Sequence, residues 1–430
     1  MNPMQIIANA ARRLETLFPG YFQQAKHNHY ADFGWPVNLT FSQLHAMYHR
    51  NGLARAGVDK TILKTWQDNP ELWETEDPDE TELEADIRQR FADLRIWQAM
   101  AAADRRALVG GYSGLILRFR DSKPFDAPVD RVPGGLKGLA EVIPAWGGVG
   151  AQLDVAEWVT DTASPDYGKP KLFRFNEAAV GSEQNQVRNF TLHPDRVLIW
   201  SEDGTVHARS ALEPGYNDLL DAEKVKGAGG EGFWKTARGS LAIEADKSLD
   251  MNAMARAMGV QPSEIADRMN EQVEDFQKGF DKMIALQGMT AKTLPISLPS
   301  PEHFFAIAVQ SYAASINIPT KILIGNQTGE RASTEDARDW AQANNARRTN
   351  AIRPLIGGFI QRLERAGILP ERDWHLHWSD LTEASQAEKI ERAAKMADIN
   401  QKQRDEPVFL ADEIRQVAGF EAGAPDGGDE

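Results

Sequence analysis

The segment ILIGNQTGERASTEDARDWAQANNARRTNAIRPLIGGFIQRL, residues 322–363, joins a glycine-bounded polar loop to an unusually polar helix. The pattern predicts a loop over 325–333 and a helix over 333–365, with Ser333 as the N-cap and an acidic residue three positions later. The first half of this helix is almost wholly polar. A hydrophobic core therefore cannot account for most of the helix surface.

The loop 325–333 has the glycine content of a phosphate-binding loop without its defining residues. A P-loop has the pattern G-x-x-x-x-G-K-[ST], in which the lysine reaches the terminal phosphates. Here the string is G-N-Q-T-G-E-R-A-S-T, with the glycines one residue too close and Glu330 in place of the lysine. An acidic side chain there would repel phosphate, so the sequence predicts no nucleotide site.

The composition is that of an ordinary globular protein. The chain has 430 residues, 42% hydrophobic and 26% charged, and its length suggests two or three domains. Cysteine is absent, which excludes disulfides, thiolate metal ligands and a cysteine nucleophile. No apolar run approaches the roughly 20 residues that a membrane span needs, so we expect no membrane partner.

The charge balance bears on nucleic-acid binding. The formal net charge is −15, and the densest basic segment is the short run 344–348. Proteins that grip DNA cluster lysines and arginines, because the release of counterions from the phosphates supplies much of the affinity. The charge therefore argues against a monomeric DNA-binding adaptor, but not against an acidic protein that lets DNA pass.

Hydrophobic periodicity predicts helices in residues 1–105 and after Leu212, with short strands between them, punctuated by glycine and proline. This order indicates an α+β fold. We expect Thr81 to cap a helix. That helix carries an apolar stripe formed by Leu83, Ile87, Phe91, Leu94 and Trp97.

Three further elements are predicted after Leu212. The glycine-rich run 227–232 is expected to interrupt a helix, and residues 373–381 alternate as a strand does. A strong helix is predicted from Ser263 to Leu286. Its apolar stripe includes Ile265, Met269, Val273, Phe276 and Phe280.

A search for chemistry finds no catalytic constellation. Neither a G-x-S-x-G elbow nor an H-E-x-x-H helix occurs. His375 and His377 would share one face of a strand, but only Asp380 lies near enough in sequence to join them as a metal ligand. We therefore predict no catalytic residue, no metal site and no cofactor.

The segment 316–356 resembles tailed-bacteriophage portal proteins. That family shows an apolar helix, a Pro-x-x-hydrophobic-hydrophobic-Gly loop, a small and acidic helix start, and a long helix ending near Arg-Pro. The matching residues here are Pro319, Leu323, Gly325, Ser333 to Asp336, Arg353 and Pro354. MYHRNGLARAGVDKTILKTW, FTLHPDRVLIWSEDG and EGFWKTA are similar to upstream family segments, so the likeness runs in order over residues 40–380. The most similar subgroup has an N-terminal module that also occurs fused to anti-CBASS phosphodiesterases.

The resemblance implies a portal-type α+β fold with an α/β wing, a helical stem, a short clip and a helical crown. Residues 1–208 and 286–380 would form the wing, 209–285 the stem with a clip at about 241–261, and 381–430 the crown and a disordered tail. The loop 325–333 would be a tunnel loop facing DNA through Gly325, Asn326, Gln327, Thr328, Gly329, Glu330 and Arg331. The stripe beginning at Ile265 would be the seam between stem helices.

The resemblance also implies the function. Portal proteins form a ring, usually of twelve copies, at one capsid vertex, and double-stranded DNA is packaged and ejected through its centre. The expected partners are other copies of the chain, terminase, the major capsid or scaffold protein and a head–tail adaptor. The protein is expected in the virion and, during assembly, in the host cytoplasm.

An enzyme remains the alternative, either an anti-defence cyclic-oligonucleotide phosphodiesterase or another hydrolase. The phosphodiesterase class uses paired H-x-T motifs, and this chain has none; His377-Trp-Ser379 comes nearest.

Overall fold

The structure is a computed structural model of the chain. It describes residues 28–75, 80–177, 188–238, 241–245, 250–265, 267–268, 271, 289–293, 300–325, 330–382, 386–402 and 408–420.

Helices and strands alternate irregularly along the chain. The helices used below are α1 (His29–Phe33), α2 (Phe41–Arg50), α3 (Gly52–Thr65), α4 (Glu82–Asp93), α5 (Ile96–Gly110), α6 (Tyr216–Arg238), α7 (Met251–Met258), α8 (Glu302–Ser315), α9 (Thr320–Ile324), α10 (Glu330–Arg347), α11 (Arg353–Arg365), α12 (Gln386–Lys402) and α13 (Ala411–Val417). The strands are β1 (Glu71–Trp73), β2 (Ser113–Phe119), β3 (Leu139–Trp146), β4 (Leu153–Trp158), β5 (Pro170–Asn176), β6 (Asn189–Leu192), β7 (Val197–Trp200), β8 (Leu241–Ala245), β9 (Met289–Thr293) and β10 (His375–His377).

The chain divides into two compact units. The smaller comprises Met1–Leu39 and Leu212–Thr320, and the larger comprises Thr40–Ala211 and Lys321–Glu430. Both units mix helix and strand, so the predicted α+β class is confirmed.

The larger unit is built around two three-stranded antiparallel sheets. One has the order β3-β2-β7 and the other the order β4-β5-β6. Successive side chains of a strand point to opposite faces. In β2, accordingly, Leu115 and Leu117 join a core made mainly with helices, whereas Ile116 joins a second core with the other sheet. That second core also contains Leu153, Phe173, Phe175, Leu192 and Val197.

Helix caps follow the sequence closely. Thr81 begins α4 with a reciprocal capping box, in which its side chain accepts from the Glu84 N–H and the Glu84 carboxylate accepts from the Thr81 N–H. Asn51 ends α2 and begins α3, and its side-chain oxygen accepts from the N–H groups of Leu53 and Ala54. These caps satisfy donors that a helix start otherwise leaves unpaired.

The apolar stripe predicted from Leu83 to Trp97 is not carried by one helix. The α4 helix ends at Asp93, and Arg95 adopts a left-handed conformation with φ of 52° before α5 begins. Ile87, Phe91 and Trp97 still share one core, because the turn folds α5 back onto it.

The smaller unit pairs α6 with α8 in antiparallel fashion. Gly215 lies against Tyr312 and Ser315 near the end of α8, while Gly229 lies against Pro301 at its start. The predicted interruption at 227–232 is wrong, because α6 runs continuously from Tyr216 to Arg238. A glycine costs a helix only about 1 kcal/mol, and α6 continues through its glycines while it packs against α8.

The long helix of the larger unit begins earlier than predicted. It starts at Glu330, so Ser333 lies inside it and is not its N-cap. Between α10 and α11 the residues Arg348–Ile352 form a π-helical turn, closed by the Arg353 N–H donating to the Arg348 carbonyl. Pro354 explains this turn, because proline has no N–H and its ring clashes with the carbonyl four residues earlier.

One other prediction needs correction in extent. The predicted strand 373–381 is reduced to the three residues of β10, which pairs with β1. The proline- and glycine-containing segment 124–138 contributes Val132 to the core, where it is 2% exposed.

The α11 helix contributes the most deeply buried part of this core. Phe359 is 0% exposed, and its ring meets that of Phe91 edge-on at 6.1 Å. We expect Phe359→Ala to destabilise the protein by about 3–5 kcal/mol through lost burial and a residual cavity. Urea denaturation followed by tryptophan fluorescence would measure the change.

The matched control is Leu63→Ala, because Leu63 is 66% exposed. Its denaturation midpoint should stay close to that of the wild type. Equal midpoints for the two variants would contradict the packing described for Phe359.

Candidate functional site

The predicted tunnel loop starts where helix α9 ends. The α9 helix closes at Gly325, whose φ is 76° and whose N–H donates to the Lys321 carbonyl at 2.9 Å. Glycine suits this left-handed position because it has no Cβ. Lys60 Nζ donates to the Ile322 carbonyl, which ties α9 to α3.

The other predicted loop and seam residues are largely beyond what the structure describes. Asn326, Gln327, Thr328 and Gly329 lie outside the described residues, as do the side chains of Glu330 and Arg331. Ile265 is 2% exposed. The remaining seam residues, Met269, Val273, Phe276 and Phe280, also lie outside the described residues.

At the far end of α10, a buried ion pair fixes the polar helix to the rest of the larger unit. Arg347 donates to both carboxylate oxygens of Asp104, with Nη1 to Oδ2 at 2.8 Å and Nη2 to Oδ1 at 2.5 Å. The Asp104 side chain is 2% exposed and the Arg347 side chain 21%. A two-pronged pair of this kind fixes the direction of the arginine as well as its position.

Asp104 accepts two further hydrogen bonds from indole groups. Trp66 Nε1 donates to Oδ2 at 2.9 Å, and Trp200 Nε1 donates to Oδ1 at 3.3 Å. The carboxylate is therefore fully hydrogen-bonded, as a buried charge must be to avoid a large desolvation cost. One acidic side chain on α5 thus joins α3, β7 and α10.

Neutral side chains extend the network along α10. Thr65 Oγ1 accepts from Arg347 Nη1 at 3.0 Å and donates to Asn344 Oδ1 at 2.9 Å. The Asn344 amide in turn donates to the Trp340 carbonyl one turn earlier. Polar residues near the end of α10 are thus packed inside the protein rather than solvated.

Arg348 makes a second, separate anchor. Nε donates to the Thr65 carbonyl at 2.7 Å, Nη1 to the Ser379 carbonyl at 2.8 Å and Nη2 to the Asp68 carboxylate at 2.5 Å. Its guanidinium also lies 4.2 Å from the ring centre of Trp378. Burial lowers the pKa of Arg348, and the hydrogen bond to Asp68 opposes that shift.

The basic run 344–348 is therefore structural. Both of its guanidinium groups are engaged by buried or half-buried carboxylates, so neither is available to hold a phosphate. Sequence reasoning missed this anchor because no local pattern links the arginines to Asp104, which lies 243 residues away.

The histidines of β10 have ordinary surroundings. His377 stacks on Trp73, with ring centres 4.4 Å apart. Within the described residues, no three histidine, aspartate or glutamate side chains cluster closely enough to hold a metal ion. In that same part of the chain, no helix has the length and apolar character needed to cross a membrane.

The helical pair of the smaller unit exposes large apolar side chains. Phe304 and Ile307 are 57% and 50% exposed and lie three residues apart on α8. On α6, Phe233 is 73% exposed and Trp234 57%. Apolar side chains exposed in this way lose their contact with water wherever another protein covers them.

The sequence matches the family model described as phage portal protein over residues 42–402. The chain belongs to the phage portal protein family, whose members are structural proteins of the phage particle. No curated protein matches the sequence. No observation supports the hydrolase alternative.

Solved structures with a similar fold come from gene transfer agent particles. One, titled as the neck of a native particle computed with C12 symmetry, has a TM-score of 0.49 and 14% identity, covering 89% of this chain and 93% of the other. Another, a native virion, has a TM-score of 0.45 and 15% identity over 90% and 95% of the two chains. The assignment to the family rests on the family match.

The Arg347 anchor can be tested by removing its counter-ion. Asp104→Asn keeps the shape but leaves Arg347 without its charge partner, so we expect a loss of about 3–5 kcal/mol in the free energy of unfolding. Thermal unfolding followed by circular dichroism would measure it. The exposed pair Lys402–Asp398 provides the control, and Asp398→Asn there should cost less than about 1 kcal/mol.

The double variant Asp104→Leu, Arg347→Met removes both charges together. It should be more stable than Asp104→Asn alone, because no unpaired charge remains in the interior. An Asp104→Asn protein that melts with the wild type would show that the pair does not anchor the helix.

Proposed function

We propose that this chain forms a closed ring, of twelve copies in the particle, at one vertex of a phage capsid, and that double-stranded DNA passes through the ring during packaging and ejection. The observation that carries the proposal is the match to the portal family over residues 42–402. The long, anchored polar helix and the exposed apolar helix pair agree with a subunit that is completed by its neighbours.

The proposed domains are those expected from the resemblance. The wing comprises 1–208 and 286–380, the stem 209–285 with its clip at about 241–261, and the crown the residues from 381 onward. The change of compact unit between Ala211 and Leu212 supports a boundary close to 208. The β8–β9 pairing joins the proposed clip to residues 289–293.

The exposed apolar side chains of α6 and α8 support contact between copies. Burying apolar surface contributes about 25 cal/mol per Å², so several exposed aromatic and aliphatic groups can contribute several kcal/mol when a neighbour covers them. We propose that the seam predicted from Ile265 to Phe280 packs against other helices of the ring, although Ile265, at 2% exposed, is already covered within the chain. A subunit with such a surface is more stable in a ring than alone.

The acidic net charge supports a channel through which DNA moves, rather than a site that holds DNA tightly. Twelve copies at −15 each carry −180. Rows of free lysines and arginines would hold DNA phosphates and slow movement of the duplex, whereas an acidic wall does not. In the larger unit, the most basic run is moreover committed to buried ion pairs.

The partners and location follow from this role. Terminase docks during packaging, the capsid or scaffold protein surrounds the ring, and a head–tail adaptor binds when packaging is complete. The protein is made in the host cytoplasm and ends in the virion. The role requires no catalysis by the chain itself.

Purified protein is expected to form rings with a central channel, visible by negative-stain electron microscopy and countable by native mass spectrometry. Ile307→Asp places a charge on the exposed face of α8 and should lower the ring fraction without changing the melting of the subunit. Val149→Asp, at a position 91% exposed in the larger unit, is the matched control. A chain that stays monomeric across micromolar concentrations and a range of salt would overturn the proposal.

The proposed tunnel loop is tested by adding charge to it. Gln327→Lys should increase the affinity of assembled rings for duplex DNA, and the increase should fade as salt rises, because each added phosphate contact releases counterions. Fluorescence anisotropy with a labelled duplex at several salt concentrations would measure this. Gln67→Lys, placed away from the loop in sequence, serves as the control for net charge. Equal DNA affinities for the two variants would show that the loop does not face the channel.

A further inference from the structure

A groove in the larger unit has no role in the proposed function. It has a volume of about 920 Å³ and is bordered by β7, by the β4–β5 hairpin and by α11. Phe119, Val129 and Trp158 give it apolar walls, and Arg362 and Arg365 stand along one side. Pockets of this size hold small ligands or several residues of a peptide.

One border of the groove is an open sheet edge. In the order β3-β2-β7, the β7 strand is paired on one side only. Val197 turns its polar backbone groups away from β2, since its N–H donates to Pro194 and its carbonyl accepts from Arg362 Nη2 at 3.0 Å. Alternation along a strand places the N–H and carbonyl of Ile199 on the same open edge.

The two arginines form no direct ion pair within the part of the chain that the structure describes. Asp195 also lines the groove and acts on Arg362 through its charge. The Nε of Arg362 is buried without a hydrogen-bond partner. Burial lowers the pKa of Arg362 and the charge of Arg365 lowers it further, whereas the charge of Asp195 raises it.

The two lysines that line the groove are already paired with carboxylates. Lys169 pairs with Asp166 at 2.8 Å, and Lys171 pairs with Glu157 at 2.7 Å. The positive charge without a direct carboxylate partner therefore lies at Arg362 and Arg365, one turn apart on α11, opposite apolar walls, and Asp195 offsets part of the charge of Arg362.

We propose that this groove binds an extended acidic segment of a partner polypeptide, which adds to the open edge of β7 at Ile199 and places a carboxylate on Arg362 and Arg365. An added strand obtains main-chain hydrogen bonds from the edge and places alternate side chains in the groove. Arginine binds a carboxylate through parallel hydrogen bonds.

The lining favours a peptide over DNA. Duplex DNA is held mainly through many basic contacts to phosphates, whereas this groove offers two arginines without a direct ion pair, the carboxylate of Asp195 and extensive apolar wall. A peptide strand uses all three features together: the open backbone edge, the apolar walls and the pair of arginines.

The experiment is an unbiased selection on the full chain. Random dodecapeptides presented by mRNA display are selected on the wild-type protein and counter-selected on Arg365→Glu, an exposed position whose change should leave the fold intact. We expect the enriched peptides to carry aspartate or glutamate within β-favouring residues. Synthetic labelled copies should bind about tenfold more weakly to Arg365→Glu, which corresponds to loss of one charge-assisted contact.

The control is Arg353→Glu, an equal change of charge on the same helix that does not line the groove. It should leave peptide affinity unchanged. Hydrogen exchange should show that bound peptide protects the amides of Val197–Trp200.

Three results would overturn the proposal. They are recovery of no acidic peptides, equal binding to the two charge variants, or no added protection of β7. Displacement of the peptide by a short DNA duplex at physiological salt would assign the groove to nucleic acid instead. Ring assembly is scored separately, so failure here leaves the portal proposal standing.

Discussion

The carboxylate of Asp104 is the point on which the larger unit depends. It lies on α5 in the interior and receives Arg347 from α10, Trp66 from the end of α3 and Trp200 from β7. A buried carboxylate is costly unless its oxygens are fully hydrogen-bonded, and these donors come from three separate elements. The requirement to satisfy this one charge therefore fixes how a helix layer, a sheet and the polar helix are assembled.

Two adjacent arginines at the end of α10 contact different parts of the protein. Arg347 points to Asp104, while Arg348 points to Asp68 and lies over Trp378. Neighbouring residues on a helix face directions about 100° apart, so the two arginines reach different partners. Pro354 forces the irregular turn, and the two arginine anchors at the N-terminal side of the turn hold the end of α10. The polar helix is thus held firmly at its C-terminal end, and the glycine at 325 marks the opposite end of the segment.

Membership of the portal family gives these features a common interpretation. A polar helix that buries little within its own subunit suits a protein whose remaining surfaces are covered by identical neighbours or face a hydrated channel. The exposed Phe304 and Ile307 on α8 suit the first of these surroundings, and the acidic net charge suits the second. The groove beside β7 is a different kind of feature, since it combines an open strand edge with two arginines that form no direct ion pair in the described residues.

Local chemistry in the sequence was enough to place many elements. The cap at Thr81 and the long polar helix after the loop at 325 follow from interactions between residues a few positions apart. The order of several weak motifs also indicated the portal family. Other features depend on residues distant in the chain: the basic run at 344–348 is held inside the protein because the Asp104 carboxylate lies beside Arg347. The groove is likewise a product of strands and a helix brought together from separate parts of the chain. Periodicity and capping report forces within one turn or strand, whereas burial of a charge or an open sheet edge depends on which distant residues fill the space beside it.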